Sequence, residues 1–436
     1  MKSFFNAKSI AVIGASRNPD KVGGVIFRNL IGNTRLRVFP VNSSANEIGG
    51  IKAYPDVLSI PFVVDLSVIA VKAEDVPEVL EQCGKKNIKS VIIISSGFSE
   101  AGRFDLEDEI KEIAERYDIK IIGPNVLGIL NTYKGINASF FKEMPEKGKV
   151  ALISQSGAVG TSILDRALKE KLGFSGFVSL GNMTSIDFID ALEYFGDDLY
   201  TEVIIIYLES LNPLTGKRFI ELCKEISKKK KIIAIKAGKS KKGNEAAKTH
   251  TASMSSSSKI YSGAFKQAGI IEVETIEEMF VLSKIYSKFK RFGNKGVIVT
   301  NAGGLGVLSV DSCVESGIEL PEIPELVLKE IDEFLPEGYS KNNPLDILGD
   351  APADRYGQVL KILSKYNFFD FFIVIMSPQK MTQALETAQV LPEIRKPVFA
   401  FLIGGDSFNS AKKFLCEKGM VVFDDVSKIR FLKGFF

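Results

Sequence analysis

Short apolar runs rich in valine and isoleucine alternate with longer stretches of helical periodicity along the chain. Alternation of this kind is typical of βα units around a parallel sheet. In the first third, the runs predict strands at Ser9–Ile13, Arg37–Val41, residues 66–71, residues 90–94 and Lys120–Ile122, with helices near residues 22–31, 75–87 and 105–117. This order predicts a Rossmann-like first domain over residues 1–130.

The remaining sequence repeats the same alternation twice. A polar stretch over residues 131–149 carries no strand pattern and is interpreted as a linker. The later predicted strands lie at residues 150–154, 176–180, Val203–Leu208, Lys231–Lys236, Gly296–Thr300, Phe371–Met376 and residues 397–403, and a helix is predicted over residues 275–289. We therefore expect an α/β protein of three consecutive doubly wound modules, with the second and third over residues 131–290 and 291–436.

Composition narrows the class of protein. The chain has 436 residues, 45% apolar and 25% charged, which excludes a disordered or fibrous chain. Its net charge of +3 gives no bulk attraction to nucleic acid or to an anionic membrane. The apolar runs fall short of the ~20 residues of a membrane helix, and no signal-peptide pattern opens the sequence. Four scattered cysteines without a CxxC pair fit a reducing compartment, so we expect a cytoplasmic protein.

One design recurs in each predicted module: a strand, a small-residue turn and a helix. It is found at residues 11–24 (AVIGASRNPDKVGG), 151–162 (ALISQSGAVGTS) and 297–309 (VIVTNAGGLGVLS). Such turns let a backbone approach a ligand closely and direct the positive end of the helix dipole at an anion. Close packing of strand against helix explains any one of them equally well. Three in one chain favour a protein that handles phosphate groups.

The first turn does not match a dinucleotide site. NAD binding requires G-x-G-x-x-G and an acidic residue at the end of the second strand. Here the turn begins Gly14-Ala15-Ser16-Arg17, and Asn42 follows the second strand. Arg17 and Lys21 favour a ligand with additional phosphates, such as coenzyme A. The alternative is that Gly14 only permits the turn and Arg17 is solvated.

The only histidine, His250, lies in a polar stretch. The ordinary interpretation is a solvated loop residue. A zinc site lacks ligand spacing, and a serine hydrolase lacks the G-x-S-x-G turn. Phosphoryl relay needs only one histidine, because a neutral imidazole with a reference pKa of ~6.5 can attack phosphorus. A carboxylate then orients the other ring nitrogen, and Glu209, at the end of the strand Val203–Leu208, is the candidate.

Several phrases resemble the NDP-forming acyl-CoA synthetases, a family that includes the archaeal ADP-forming acetyl-CoA synthetases and is related to succinyl-CoA synthetase. They are VIGASR (12–17), FPVN (39–42), SSGFSEAG (95–102), GPNVLGI (123–129), SQSGAVG (154–160), SLGNMTSID (179–187), KTHTASMS (248–255), TNAGGLGVL (300–308) and NPLDILGDA (343–351). They cover nearly the whole chain in family order. The resemblance implies a Rossmann-like CoA-binding domain followed by two flavodoxin-like CoA-ligase domains.

The resemblance also implies an activity and a set of site residues. The reaction is acyl-CoA + ADP + phosphate ⇌ carboxylate + CoA + ATP, through an acyl phosphate and phosphorylated His250, which Glu209 supports. The phosphate-binding residues would be Ser156, Gly157, Ala158, Asn301, Gly303 and Gly304. The CoA-binding residues would be Gly14, Ser16, Arg17, Lys21, Val41, Asn42, Val71, Ser96, Gly97 and Asn125. No metal site is expected in this chain.

The nucleotide half of the reaction has no match in this sequence. No Walker motif G-x-x-x-x-G-K-[ST] is present. The resemblance places ADP or ATP with Mg²⁺ on an ATP-grasp β subunit, in an α2β2 heterotetramer that acts on a small carboxylic acid. Two alternatives stay open. One is a catalytically silent CoA-binding regulatory or scaffold protein, which Ala252 in place of a family glycine suggests. The other is a succinyl-specific α subunit, against which the third module argues.

Overall fold

Valine- and isoleucine-rich runs form buried strands in a computed structural model, which describes residues 1–212, 214–240, 242–243, 258–289, 292–433 and 435. Five of the six residues of Val203–Leu208, and all six of Phe371–Met376, are buried. Strands buried on both faces require helices on both sides of the sheet. This requirement explains why apolar runs, rather than alternating patterns, mark the strands in the sequence.

The first sheet is parallel and has the order β2-β1-β5-β6-β7. Its strands are β1 (Ser9–Ile13), β2 (Arg37–Val41), β5 (Leu66–Ile69), β6 (Ser90–Ile93) and β7 (Lys120–Ile122), while β3 (Glu47–Ile48) and β4 (Ile51–Lys52) form a separate hairpin. The helices are α1 (Lys2–Phe5), α2 (Val22–Ile31), α3 (Val76–Lys85) and α4 (Phe104–Tyr117). The strand order reverses beside β1, which is where ligands bind in open α/β sheets.

The second sheet has the order β14-β13-β12-β10-β11-β8-β9. Its strands are β8 (Gly128–Asn131), β9 (Ile136–Ser139), β10 (Lys147–Ser154), β11 (Phe174–Ser179), β12 (Val203–Leu208), β13 (Lys231–Lys236) and β14 (Ile271–Glu272). Its helices are α5 (Gly157–Glu170), α6 (Phe188–Asp197), α7 (Gly216–Ile226), α8 (Ser258–Ala268) and α9 (Ile276–Lys288). The five strands from β10 to β14 run parallel, and β10 lies between β11 and β12. The sequence predicts four of these strands but not the two-residue β14.

The prediction of a strandless linker over residues 131–149 is wrong. Strand β9 and the first residues of β10 lie there, and β8 pairs antiparallel with both β9 and β11. The polar residues of β9, Asn137 and Ser139, are buried and bond to each other. The Ser139 hydroxyl donates to the Asn137 side-chain oxygen at 2.6 Å, and the Asn137 amide donates to the Phe141 carbonyl at 3.0 Å. A polar stretch of sequence, which predicts a linker, thus forms a buried strand.

The third sheet is parallel, with the order β16-β15-β17-β18-β19. Its strands are β15 (Gly296–Thr300), β16 (Leu345–Asp346), β17 (Phe371–Met376), β18 (Val398–Leu402) and β19 (Val422–Phe423). Its helices are α10 (Gly303–Ser316), α11 (Glu325–Asp332), α12 (Ala353–Ser364), α13 (Ala384–Val390) and α14 (Asn409–Glu417). The short strands β16 and β19 were not predicted, because two residues are too few to carry a periodicity.

The chain divides into two compact units, Met1–Ser283 and Lys284–Phe436. The first unit holds the first two sheets, and the second holds the third sheet. The finer boundaries at residues 130 and 290 stay predictions. No helix in the described ranges combines the length and apolar character that a membrane crossing needs.

Two glycines at the start of α2 let that helix pack directly on the turn that follows β1. A Cβ atom on Gly23 would lie 2.0 Å from the Gly14 carbonyl oxygen, and one on Gly24 would lie 2.1 Å from the Asn18 carbonyl oxygen. Gly14 itself has a φ of +88°, a conformation that residues with a Cβ atom rarely adopt. The GASRNPDKVGG phrase is thus one close-packed turn and helix start.

We expect G23A to destabilise the protein, because backbone atoms must move to admit the new methyl group. Overpacking of this kind costs about 1–3 kcal/mol. The matched control is G32A at the end of the same helix, where φ is −64° and a new Cβ would lie 4.0 Å from the Asn29 carbonyl oxygen. That change should be neutral or stabilising by about 0.4–1 kcal/mol. Urea unfolding, monitored by circular dichroism, measures the free energy of unfolding of both variants. Equal effects would contradict the packing argument.

Candidate functional site

The first unit contains a cavity of about 580 Å³ where strands of the first sheet end opposite the start of α5. Residues 70–73 follow β5, and residues 94–96 follow β6. The other walls are Val22, residues 125–127, Phe140, residues 155–158 and Thr161. The carboxyl ends of parallel strands and the amino end of a 14-residue helix thus face one space.

The start of α5 presents the backbone N–H groups of a helix amino end to the cavity. Ser156 is the N-cap, and its hydroxyl accepts the Val159 N–H at 3.4 Å. The Ser154 hydroxyl donates to the Ser156 carbonyl at 2.6 Å and fixes the entry of the chain into the helix. The first N–H groups of a helix have no acceptor within the helix, and they form its positive pole. Gly157 and Ala158 contribute these groups at the cavity wall.

Three of the predicted CoA-binding residues, Val71, Ser96 and Asn125, line the same cavity as Ser156, Gly157 and Ala158. Asn125 has a φ of +63°, and its N–H donates to the Ser95 carbonyl at 2.9 Å. The structure thus brings two predicted groups, separated by 30 residues or more in sequence, to one place.

The other predicted CoA-binding residues cluster at the neighbouring end of the first sheet. The Gly14 N–H donates to the Val41 carbonyl at 3.0 Å, and the Asn42 amide donates to the Ala15 carbonyl at 2.8 Å. The Ser16 hydroxyl accepts the Asn18 N–H at 3.1 Å. These bonds fix the turn between β1 and α2.

Two exposed cations lie beside this turn. Arg17 donates from its Nε to the Glu47 carbonyl at 3.0 Å, which holds the guanidinium against the β3 hairpin. Lys21 is the N-cap of α2. Their exposure leaves both side chains able to meet a phosphate group.

The backbone of Gly97, also a predicted CoA-binding residue, is occupied by the protein itself. Its N–H donates to Glu100 Oε1 at 2.6 Å, and the Asn182 amide donates to Glu100 Oε2 at 2.7 Å. Burial acts to raise the pKa of Glu100, but these hydrogen bonds outweigh it and the pKa is lowered. The Gly97 amide therefore contacts a carboxylate of the chain rather than the cavity.

Glu209 lies one residue beyond β12 and is 9% exposed. Its carbonyl accepts a hydrogen bond from the Lys236 ammonium group at 2.8 Å. Burial lowers the pKa of Lys236, and the charge of Glu209 opposes that shift. Burial, reinforced by Glu209, raises the pKa of Tyr207 to about 12. His250 lies outside the described residues, so its distance to Glu209 stays a prediction.

In the second unit, Gly303 and Gly304 begin α10, as predicted. A Cβ atom on Gly303 would lie 2.9 Å from Asp346 Oδ2, whereas one on Gly304 would meet nothing within 4 Å. Asn301 is 2% exposed. Its amide donates to Thr382 Oγ1 at 2.9 Å, and its Oδ1 accepts the Ser377 N–H at 2.8 Å. Asn301 thus ties the end of β15 to the loop after β17.

Two residues of the cavity wall, Lys72 and Gln155, were not among the site residues predicted from the sequence. Lys72 is exposed and is the one charged side chain among the described residues of the cavity wall. Gln155 is 5% exposed and lies between β10 and Ser156. Their position in the sequence could have identified them, because each of these polar residues comes just after an apolar strand. Among the described residues, no group of three or more histidine, cysteine or acidic side chains is placed to hold a metal ion.

Known protein families and individual relatives match this chain over nearly its whole length. Family models match in succession a CoA binding domain (residues 8–132), a succinyl-CoA ligase like flavodoxin domain (147–286) and a ligase-CoA domain (296–431). The subunit alpha of acetate–CoA ligase [ADP-forming] II from Pyrococcus furiosus is 40% identical over 431 residues, which are 97% of this chain and 94% of that protein. The chain belongs to the family of ADP-forming acyl-CoA synthetases.

Other family members differ in length. The acetate–CoA ligase [ADP-forming] of Methanocaldococcus jannaschii is 43% identical over 95% of this chain, but this chain spans only 59% of that protein. The dinucleotide forming acetyl-coenzyme A synthetase 1 of Ca. Korarchaeum cryptofilum, solved with phosphate and ADP, has a TM-score of 0.92 at 36% identity, covering 99% of this chain and 94% of that chain. The predicted family and fold class are confirmed. The roles of individual residues stay predictions.

We expect S156A to destabilise the protein by about 1 kcal/mol, because it removes the N-cap acceptor of α5. The control is S162A, on the exposed face of the same helix, where the hydroxyl only donates back to the Ala158 carbonyl. Alanine has the higher helix propensity, so S162A should be neutral or slightly stabilising. Thermal unfolding compares the two variants, and a loss confined to S162A would contradict the cap assignment.

Proposed function

We propose that this chain is the α component of an ADP-forming acyl-CoA synthetase that acts on a small carboxylic acid. The observation that carries the proposal is the shared cavity, in which predicted CoA-binding residues face the amino end of α5. A thioester held by the first sheet then meets the phosphate held at that helix. Family membership supports the reaction class, an acid–thiol ligase.

The proposed chemistry has three transfers. A phosphate oxygen attacks the thioester carbonyl carbon, the C–S bond breaks and the CoA thiolate leaves. A neutral imidazole nitrogen of His250 then attacks the phosphorus of the acyl phosphate, and the P–O bond to the acyl oxygen breaks to release the carboxylate. Finally, a β-phosphate oxygen of ADP attacks the phosphorus of phospho-His250, and the P–N bond breaks to give ATP and the neutral imidazole. Glu209 stabilises the positive imidazole ring, and the α5 N–H groups stabilise the phosphoryl oxygens.

The nucleotide is assigned to a partner. Relatives of matching length are named as alpha subunits, and relatives from Archaeoglobus fulgidus and Methanocaldococcus jannaschii whose names carry no subunit designation exceed this chain in length. In this proposal, an ATP-grasp β subunit carries ADP or ATP with Mg²⁺, and the assembly is an α2β2 heterotetramer. The residues predicted to bind CoA and phosphate all belong to the α chain.

The test of the histidine role is phosphorylation of the purified chain by acetyl [³²P]phosphate. We expect a label that is acid-labile and base-stable, as a phosphoramidate is, and its absence in H250N. In E209Q, the labelling rate should fall roughly 10²-fold, which is typical for loss of one group that stabilises a transition state. Acid-stable label would indicate a serine or threonine instead. No label in a wild-type chain that still binds CoA would support the catalytically silent alternative.

Lys72 gives a separate prediction about ligand binding. We expect K72M to weaken CoA binding about 5-fold, since one ion pair near water contributes about 1 kcal/mol. K72R should retain the affinity, and the effect should shrink in high salt. The control is K111M on the exposed face of α4. Isothermal titration calorimetry measures the affinities, and equal values for K72M and K111M would contradict a role for Lys72.

A further inference from the structure

Gln155 extends the pairing of β10 with β12 by one residue. Its N–H donates to the Tyr207 carbonyl at 3.1 Å, beyond the last paired residues of β10 and β12, Ser154 and Tyr207. Gln155 is buried, and the extended pairing brings its side chain beside the residues that follow β12. The amide group of Gln155 therefore lies at the carboxyl edge of the sheet, between the two chain segments that leave it.

The side-chain amide of Gln155 accepts hydrogen bonds from two backbone N–H groups, that of the candidate carboxylate residue, Glu209, and that of the next residue, Ser210. Its Oε1 accepts the N–H of Glu209 at 2.9 Å and the N–H of Ser210 at 3.0 Å. Its Nε2 donates to the Ser210 hydroxyl at 3.2 Å. Buried N–H groups beyond the end of a strand need an acceptor, because no neighbouring strand supplies one. Gln155 supplies that acceptor without adding a charge.

The same segment is held from its other side. The Lys236 ammonium group donates to the Glu209 carbonyl at 2.8 Å, and the Leu211 N–H donates to the Tyr261 hydroxyl at 3.2 Å. The Lys236 ammonium also lies 4.7 Å from the centre of the Tyr261 ring. The main chain at Glu209 is thus fixed at both its N–H and its carbonyl, and Gln155 provides the contact on the side of the cavity.

Gln155 also lies directly before Ser156, the N-cap of α5, and it lines the cavity. One residue therefore bonds to the main chain of Glu209 and is covalently joined to the start of the candidate phosphate-binding helix. We propose that Gln155 is a positioning residue that sets the place of Glu209 relative to the phosphoryl group at α5. This inference rests on the proposed function.

The choice of a neutral amide has a physical reason. A carboxylate at position 155 would accept the same two N–H groups, but it would place a negative charge at the wall where phosphate binds. An apolar side chain of similar size would add no charge but would leave both N–H groups without their acceptor. The variants Q155E and Q155L therefore separate the two contributions of Gln155, namely position and neutrality.

The experiment measures the single-turnover rate of labelling of the full chain by acetyl [³²P]phosphate, over a range of acetyl phosphate concentrations. For Q155L we expect the saturating rate to fall roughly 10²-fold, a loss typical of misplacement by about 1 Å, with little change in the half-saturating concentration. For Q155E we expect a several-fold higher half-saturating concentration and a saturating rate within a few-fold of wild type. The CoA dissociation constant should stay within about twofold in both.

The control is N131L. Asn131 ends β8 in the same sheet, is 7% exposed, and its Oδ1 accepts the N–H groups of Tyr133 and Lys134, each at 3.1 Å. It is a buried amide with a matching bonding pattern, but it does not line the cavity. N131L should lower the unfolding temperature while its folded fraction labels at the wild-type rate.

The outcomes separate this inference from the proposed function. Equal labelling by Q155L and wild type, or equal rate losses in Q155L and N131L, would overturn the positioning role and leave the proposed function intact. Absence of label in wild type would overturn both. If thermal unfolding shows that Q155L does not fold, the Q155E result decides: an unchanged half-saturating concentration would contradict the inference.

Discussion

Parallel strands that end inside a protein leave backbone N–H and carbonyl groups without partners at the edge where ligands bind. Each sheet of this chain meets that constraint with a side-chain amide placed directly after a strand. Asn42 follows β2, Gln155 follows β10, and Asn301 follows β15. Each amide reaches the turn or loop after an adjacent strand: Asn42 the turn after β1, Gln155 the segment after β12, and Asn301 the loop after β17. These hydrogen bonds fix the edges of the three sheets through contacts within the chain itself.

This rigidity matters because the proposed chemistry depends on fixed dipoles. The start of α5 stabilises a phosphoryl group only if its N–H groups keep their direction during the reaction. The bonds from Ser154 to the Ser156 carbonyl and from Val159 to the Ser156 hydroxyl hold that direction. Gln155, between these serines, then relates the helix to Glu209. In the proposed mechanism, the Gln155 amide thus both stabilises the edge of the sheet and positions the Glu209 carboxylate.

Local sequence patterns were sufficient for the long buried strands, because an apolar run needs no knowledge of its neighbours. The bounds of β1, β2, β12 and β13 agree with the prediction. The patterns failed for β9, where buried polar side chains bond to one another, and for two-residue strands such as β16. Strand β9 is also held by the Asn29 amide, which donates to the Ser139 carbonyl at 2.9 Å, and β16 is held by its pairing with β15. These contacts join residues far apart in sequence.

The candidate site was predictable to the same degree. The turn motif indicated a phosphate site and the family resemblance implied Ser156, Gly157 and Ala158, and the structure places them with Val71, Ser96 and Asn125. The contributions of Lys72 and Gln155 depend on which strand ends lie opposite α5, and no single segment carries that information. Motif resemblance identified the family, whereas the neighbours of each side chain required the fold.

The motifs that look alike in sequence differ in what their N–H groups meet. In the SSGFSEAG phrase, the N–H groups of Gly97, Phe98 and Ser99 donate to carboxylates of the chain, those of Glu100 and Glu107. A backbone turn of this kind resembles an anion site, yet its anions are already supplied by the protein. At α5 the N-cap hydroxyl accepts only the Val159 N–H at 3.4 Å, and Gly157 and Ala158 face the cavity. Similar small-residue phrases therefore differ in their contacts: in one, the N–H groups bind carboxylates of the chain, and in the other, the helix start faces the cavity, where the proposed phosphate site lies.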